Sequence, residues 1–334
     1  MGIPTIFFGT PLPAVGYAEL TRKLTVLKAV VTQPDREAGR GCNIRIPAVK
    51  EWVLKPSPAE NNVPDILQPE RSEIRDNAFA MKLSSYSPAL GIVVNYGNIL
   101  PQTVLSVFST GVINIHFSLL PKYRGAAPIQ WSIIRGEKVT GVTAFWLDPG
   151  MDTGDIFAQI EVRIDEDDTS ETLRTKLVDT GLKLLGQCIT DIEHGKIIRK
   201  KQGGTPSSAP VLKKNDGHID WSKPAGEVHN LLRGTIPWPG VFTQYQKPGV
   251  CEEYEVLKIT GGRVAVTEDI VSLGIKKNIP YGTIAGYVKN TGFIVACGND
   301  TMYVITVVQP AGKKVMPAWN FLQGSRITQG TVLK

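Results

Sequence analysis

Asn114 and His116 stand two residues apart, around the apolar run Val112-Ile113-Asn114-Ile115. In a β-strand that spacing puts both side chains on one face. A carboxamide donor beside an imidazole at the carboxyl end of a strand suits the stabilisation of an oxyanion and the shuttling of a proton. Taken alone, an Asn-x-His pair serves as readily to satisfy the strand end. A second group, Asp148-Pro149-Gly150-Met151-Asp152-Thr153-Gly154-Asp155, directly follows the strand-like run that ends at Trp146. With the two strands as neighbours, this acidic turn reaches the same rim as His116. There Asp152, flanked by Gly150 and Gly154, would orient or charge the imidazole, or act with a water as base. By composition alone it is an Asp/Gly turn.

Other chemistries are poorly served. Gly9-Thr10-Pro11-Leu12-Pro13 lies where a G-x-G-x-x-G loop would follow the first strand, without its second and third glycines. Pro11 and Pro13 also remove backbone donors that would cradle phosphate, so a dinucleotide is not expected. Cys42, Cys188, Cys251 and Cys297 stand far apart, with neither a C-x-x-C nor a nearby pair of histidines. They form no disulfide framework or zinc site, and no metal is expected.

The elements that position these residues follow from the apolar pattern. Thr5-Ile6-Phe7-Phe8 and Val26–Val31 read as strands with a helix between them. Gly91-Ile92-Val93-Val94, Val112–Ile115 and Val142–Trp146 read as three more. Strands alternating with helices predict a mostly parallel sheet covered on both faces, with ligands beyond the carboxyl ends of its strands. The polar stretch from Thr32 to Ile46 reads as a long loop. A helix is predicted from Asp168, capped by that residue with Glu171 three residues on and stopped by Gly195. Residues 196–210, polar and rich in Gly, Pro and Ser, predict a linker between a domain at 1–195 and a second at 211–334. In the second, a helix near Ala225–Arg233 precedes short β-rich runs at Glu255–Ile259, Val264–Val266, Thr283–Val288, Gly292–Cys297 and Met302–Val308. Short strands at close spacing predict a small barrel.

The chain has 334 residues, 42% of them hydrophobic and 20% charged, which suits about two packed domains. No apolar run approaches the roughly 20 residues needed to cross a bilayer, and no signal or transit segment is read at the start, so a cytoplasmic location is expected; the chain is separately expected to be a monomer. The formal net charge is +6, and residues 205–334 carry 14 Lys and Arg against 9 Asp and Glu. That excess suits a polyanionic partner such as RNA.

Several ordered motifs resemble the folate-dependent formyltransferases. They are Asn114-Ile115-His116 with Ser118-Leu119-Leu120-Pro121, the run Arg124-Gly125-Ala126-Ala127-Pro128, and Asp152-Thr153-Gly154. Phe8-Gly9-Thr10-Pro11, Tyr96-Gly97-Asn98-Ile99-Leu100-Pro101, Asp216–Trp221 and Pro237-Trp238-Pro239-Gly240 extend the likeness across nearly the whole chain. The resemblance implies a Rossmann-like α/β domain followed by a smaller OB-like β-barrel. It implies 10-formyltetrahydrofolate as one-carbon donor and the amino group of methionine esterified to initiator tRNA as acceptor. Carried onto this sequence, Asn114, His116 and Asp152 are its catalytic trio. Ser118, Leu119, Leu120 and Pro121 border its folate site, as do the backbones of Tyr96, Gly97, Asn98, Ile99 and Leu100 and of Met151–Thr153. Arg36, Arg40 and Arg45 would meet the acceptor end of the tRNA. The chain departs from the family at Leu12, where an acidic residue is usual, and at Cys42-Asn43, where two lysines are typical. An amino sugar linked to a nucleotide is the alternative acceptor, and a non-catalytic folate- or RNA-binding relative the alternative class.

Overall fold

The computed structural model describes residues 2–38, 43–55, 63–246, 253–276, 278–325 and 327–334. The first elements are β1 (Pro4–Gly9), α1 (Leu12–Leu24), β2 (Val26–Val31), β3 (Arg36–Ala38) and β4 (Asn43–Arg45). There follow α2 (Ala48–Leu54), β5 (Asp65–Leu67), α3 (Asn77–Ser84), β6 (Leu90–Val94), α4 (Gln102–Leu105) and β7 (Gly111–His116). Then come α5 (Pro128–Ile134), β8 (Val139–Trp146), β9 (Ile156–Arg163) and α6 (Ser170–Glu193).

One sheet has the order β5-β2-β1-β6-β7-β8-β9. The pairs from β5 to β7 are parallel, whereas β8 and β9 run antiparallel. The chain builds outward from β1 to β2 and β5, then returns to β6 on the other side, so strand order reverses between β1 and β6. Side chains alternate in facing along each strand. Ile6, Phe8, Ala29, Val31, Val93 and Val112 share an apolar cluster with Phe79 and Leu83 of α3 and Val104 and Leu105 of α4. On the other face, Ile115 lies against Gly181 of α6, and the Tyr17 hydroxyl of α1 donates to the Val178 carbonyl. Both faces are thus covered, as parallel strands require.

Three local readings differ from the sequence expectation. The stretch expected as a loop from Thr32 to Ile46 contains the antiparallel pair β3–β4, with Arg36 opposite Arg45. α6 starts at Ser170 and is boxed by Thr169 and Thr172, each backbone N–H donating to the other's hydroxyl, at 2.9 and 3.3 Å. Asp168 instead accepts from the Asp165 N–H and the Thr172 hydroxyl. Residues 200–209 pair with the loops of the first sheet and cluster with it. Gly, Pro and Ser make this segment linker-like in composition, yet its backbone groups find partners in those loops.

The chain separates into two compact units: residues 1–128, 139–163 and 174–210, and residues 129–138, 164–173 and 211–334. The second contains α7 (Ala225–Thr235), β10 (Val241–Gln246), β11 (Tyr254–Val264), α8 (Thr267–Ser272), β12 (Ile284–Val288), β13 (Gly292–Ala296), β14 (Met302–Pro310), β15 (Met316–Pro317) and α9 (Ala318–Ser325). Its antiparallel sheet runs β10-β11-β14-β13-β12. Leu257, Ile259, Phe293, Val295, Tyr303 and Ile305 face a core shared with Val228 and Leu232 of α7 and Phe321 of α9. Gly261-Gly262 does not end a strand as the sequence suggested. The pair forms a bulge in a continuous β11, which bends it. Residues 330–334 bridge the two sheet edges: Gln244 and Lys334 exchange backbone hydrogen bonds at 2.7 and 2.8 Å, and Ile284 N–H donates to the Thr331 carbonyl at 2.8 Å. The edges are thereby closed in the manner of a barrel.

Candidate active site

His116 ends β7 and is 6% exposed, while Asn114 is half-buried. Alternation from Val112 puts both on the sheet face covered by α3 and α4. The Asn114 carboxamide has no hydrogen-bond partner among the described residues, so its two N–H groups are available. His116 Nε2 lies 2.9 Å from the Tyr123 carbonyl, and Nδ1 lies 3.7 Å from Asp152 Oδ2. Both ring nitrogens thus face oxygens. A neutral ring donates from one nitrogen and an imidazolium from both. The edge of Phe145 closes one side of the ring, with centroids 6.4 Å apart.

Asp152 reaches this place by an unexpected route. β8 is antiparallel to β7, with Thr143 opposite His116 and Trp146 opposite Ile113, so β8 runs past His116 and ends three residues beyond it, toward the start of β7. The turn after Trp146 doubles back across the sheet. It closes where the Trp146 N–H donates to the Asp155 carbonyl at 2.8 Å. Gly154 packs so closely on the Trp146 carbonyl that a Cβ has no room. Thr153 donates its hydroxyl to Asp148 Oδ1 at 2.6 Å. Asp152 takes a φ of +54°, in the left-handed region, and its Oδ2 accepts from the Gly125 N–H at 2.7 Å.

The segment from Ser118 to Pro121 is buried except for Leu119, which is half-buried. Thr143 of β8 donates to the Ser118 carbonyl at 2.6 Å and accepts from the Leu120 N–H at 3.1 Å, and Gln159 donates to the Leu120 carbonyl. At the reversal of strand order, Tyr96 and Leu100 are buried whereas Gly97 and Ile99 are exposed. Burial pushes the Tyr96 hydroxyl up to about 12. The Tyr96 carbonyl accepts from Gln33 Nε2 at 3.0 Å, and Gly97 has a φ of +84°. Beside it, Asp35 accepts from Lys50 at 2.6 Å and from Gln68 at 2.8 Å, and those bonds hold its carboxyl below the usual range. Arg36 is exposed and pairs with Glu70 at 2.6 Å, and Arg45 is exposed on the opposite strand. Arg40 lies outside the described residues.

Sequence reasoning passed over the groups that hold these loops. Gln202 Nε2 donates to the carbonyls of Asp152 and Gly154 at 2.8 and 2.9 Å, and its Oε1 accepts from Arg124 Nη2 at 2.6 Å. The Tyr123 and Arg124 N–H groups donate to the Ser207 hydroxyl and carbonyl, at 2.9 and 2.8 Å. The only signal was the motif membership of Arg124-Gly125; nothing around Gln202 marks it. Among the described residues no group of three or more His, Cys, Asp or Glu could hold a metal, and no helix is long and apolar enough to cross a membrane.

A mostly parallel sheet with an amide and an imidazole near the end of its fifth parallel strand, and a carboxylate brought beside them from a following loop, defines a group-transfer fold of known kind. The chain matches the Formyl transferase family over residues 13–189 and the Formyl transferase C-terminal domain over residues 211–326, and it belongs to that family. It is 40% identical over 326 residues to the methionyl-tRNA formyltransferase of Thermodesulfovibrio yellowstonii, covering 97% of each chain. It is 39% identical over 330 residues to the methionyl-tRNA formyltransferase of Acetivibrio thermocellus, covering 98% of each. A crystal structure of a sugar 3N-formyl transferase in the presence of dTDP and 5-N-formyl-THF aligns with a TM-score of 0.60 at 20% identity, over 94% of this chain and 100% of that one. HypX from Aquifex aeolicus, in complex with tetrahydrofolic acid, aligns with a TM-score of 0.57 at 13% identity, over 96% of this chain. The chain spans 47% of that longer protein. These two likenesses bear on the fold.

Proposed function

We propose that the chain transfers the formyl group of 10-formyltetrahydrofolate to the amino group of methionine esterified to initiator tRNA. The observation that carries this reading is 40% identity, over 97% of both chains, to a methionyl-tRNA formyltransferase. The open Asn114 amide and the exposed backbone of Gly97 and Ile99 at the strand reversal fit a flat, hydrogen-bonding heterocycle with its formyl carbon near His116. Ser118–Pro121 and the backbone of Met151–Thr153 would line the same place. Arg36, Arg40 and Arg45 would face the acceptor stem, and the more basic second unit the tRNA backbone. In this reading the enzyme works as a monomer in the cytoplasm.

The donor supplies the formyl carbon. The methionine nitrogen forms a bond to that carbon, the bond from the carbon to N10 of the folate breaks, and one proton passes from the amine to N10. Asn114 donates to the formyl oxygen as negative charge grows there. His116 presents its Nδ1 edge to the same oxygen, since the Tyr123 carbonyl occupies Nε2. Asp152, 3.7 Å from Nδ1, stabilises the charged ring and, through water, helps to take the amine proton. The gap exceeds a hydrogen bond, which leaves the Nδ1 proton to the formyl oxygen while Asp152 acts on the ring by its charge.

The test is formyl transfer from 10-formyltetrahydrofolate to charged initiator methionyl-tRNA, with elongator methionyl-tRNA and a nucleotide-linked amino sugar in parallel. Formylation confined to the initiator is expected. Formylation of the sugar alone overturns the RNA acceptor, and folate binding without transfer to any acceptor overturns the enzyme. His116→Ala nearly abolishes transfer and leaves tRNA affinity within a few-fold; parallel loss of both counts against its assigned role.

A further inference from the structure

The Gln202 carboxamide engages both loops that carry the candidate residues. Its two N–H groups go to the carbonyls of Asp152 and Gly154, and its oxygen takes the Arg124 guanidinium at Nη2 (2.6 Å) and Nε (3.3 Å). Turning the amide over would set its NH2 against the guanidinium and its oxygen against two carbonyls, so the network fixes its orientation. On the other side, the N–H of Gly125, the residue after Arg124, donates to the Asp152 carboxylate. Asp152 is therefore held by its carbonyl through Gln202 and by its carboxylate through Gly125. The held residue is a non-glycine at φ +54°, a conformation that persists where its surroundings over-determine it.

We infer that Gln202 is a positioning residue for the transfer, acting through Asp152 to keep that carboxylate within reach of His116. The inference rests on the proposed reaction for its kinetic test, and a spectroscopic test stands apart from it. Gln202→Glu keeps an acceptor for Arg124 but turns an oxygen toward the two carbonyls. Gln202→Met removes donor and acceptor without adding charge, and carries the test if the charged variant does not fold. Both variants lower kcat by about 100-fold, the scale on which a misplaced group of about 1 Å acts, and leave KM for donor and acceptor within about threefold. The double variant Q202E/D152N stays within about twofold of D152N, because both lesions act through one carboxylate.

The side-chain 15N signals of His116 move in Q202E and Q202M in the same sense as in D152N. Wild-type kcat in both Gln202 variants, losses that multiply in the double variant, or unmoved His116 signals overturn the inference. Moved signals in a protein whose wild type formylates no acceptor support the positioning role and overturn the proposed reaction instead.

Discussion

The Asn114 side chain has no hydrogen-bond partner among the described residues, so replacing it tests one donor with little disturbance of the fold. Asn114→Ala lowers kcat by roughly 10²–10³-fold, as removal of a single oxyanion donor does, and leaves the urea midpoint near that of the wild type. Asp35 makes the opposite kind of contribution. Bonds from Lys50 and Gln68 lower its folded pKa, so the unfolded chain binds that proton more readily. The stabilisation is complete above the unfolded value of about 4 and is lost as pH falls through the lower folded value. The gap in urea midpoint between wild type and Asp35→Asn is therefore full at pH 7 and narrows below about pH 4. Asn114 and His116 were legible because a period of two needs no knowledge of the partner strands. Gln202 was not: Gly203, Gly204, Pro206 and two serines surround it, and side-chain bonding to distant carbonyls leaves no mark on composition.

Between elements, the antiparallel setting of β8 decides where Asp152 lies. A parallel β8 would have delivered the turn straight to the rim; the observed one must fold back, which Gly154 permits by lying against the Trp146 carbonyl. Gly154→Ala forces that turn open and lowers both the thermal midpoint and kcat, with a destabilisation on the order of 1–3 kcal/mol. The sequence showed that an Asp/Gly turn follows Trp146, but strand direction depends on hydrogen bonding between segments far apart in the chain. The barrel-like sheet has a similar dependence on distant pairing. Deleting residues 330–334 unpairs the edges at Gln244 and Ile284. It lowers the thermal midpoint and promotes self-association, as exposed strand edges do; light scattering during a thermal ramp checks both. The Gly261-Gly262 bulge was misread as a break because a glycine pair marks a bulge and a turn alike.

At the scale of the molecule, the basic excess of residues 205–334 and the facing Arg36 and Arg45 predict salt-dependent tRNA binding. Arg36→Ala and Arg45→Ala each reduce the slope of log affinity against log salt by about one if each meets a phosphate; fluorescence titration between 50 and 200 mM salt, as about the useful range, reads it. The two-part organisation was legible from the change in strand pattern near residue 210. The membership of 129–138 and 164–173 in the second unit was not, since each lies inside the stretch 1–195 expected to form the first domain. The two family matches end at residue 189 and resume at residue 211, and between them runs the stretch that ties Asp152, Tyr123 and Arg124 together. Its place in the chain sets an order of events during translation. A ribosome that has released residues up to 195 has already delivered Asn114, His116 and Asp152 and the Gly125 N–H that meets the Asp152 carboxylate, yet not the Gln202 amide that holds the Asp152 carbonyl. The ties through Gln202 and Ser207 form only once those residues have emerged, so the part of the chain that completes the site is the part made after every residue that would perform the reaction.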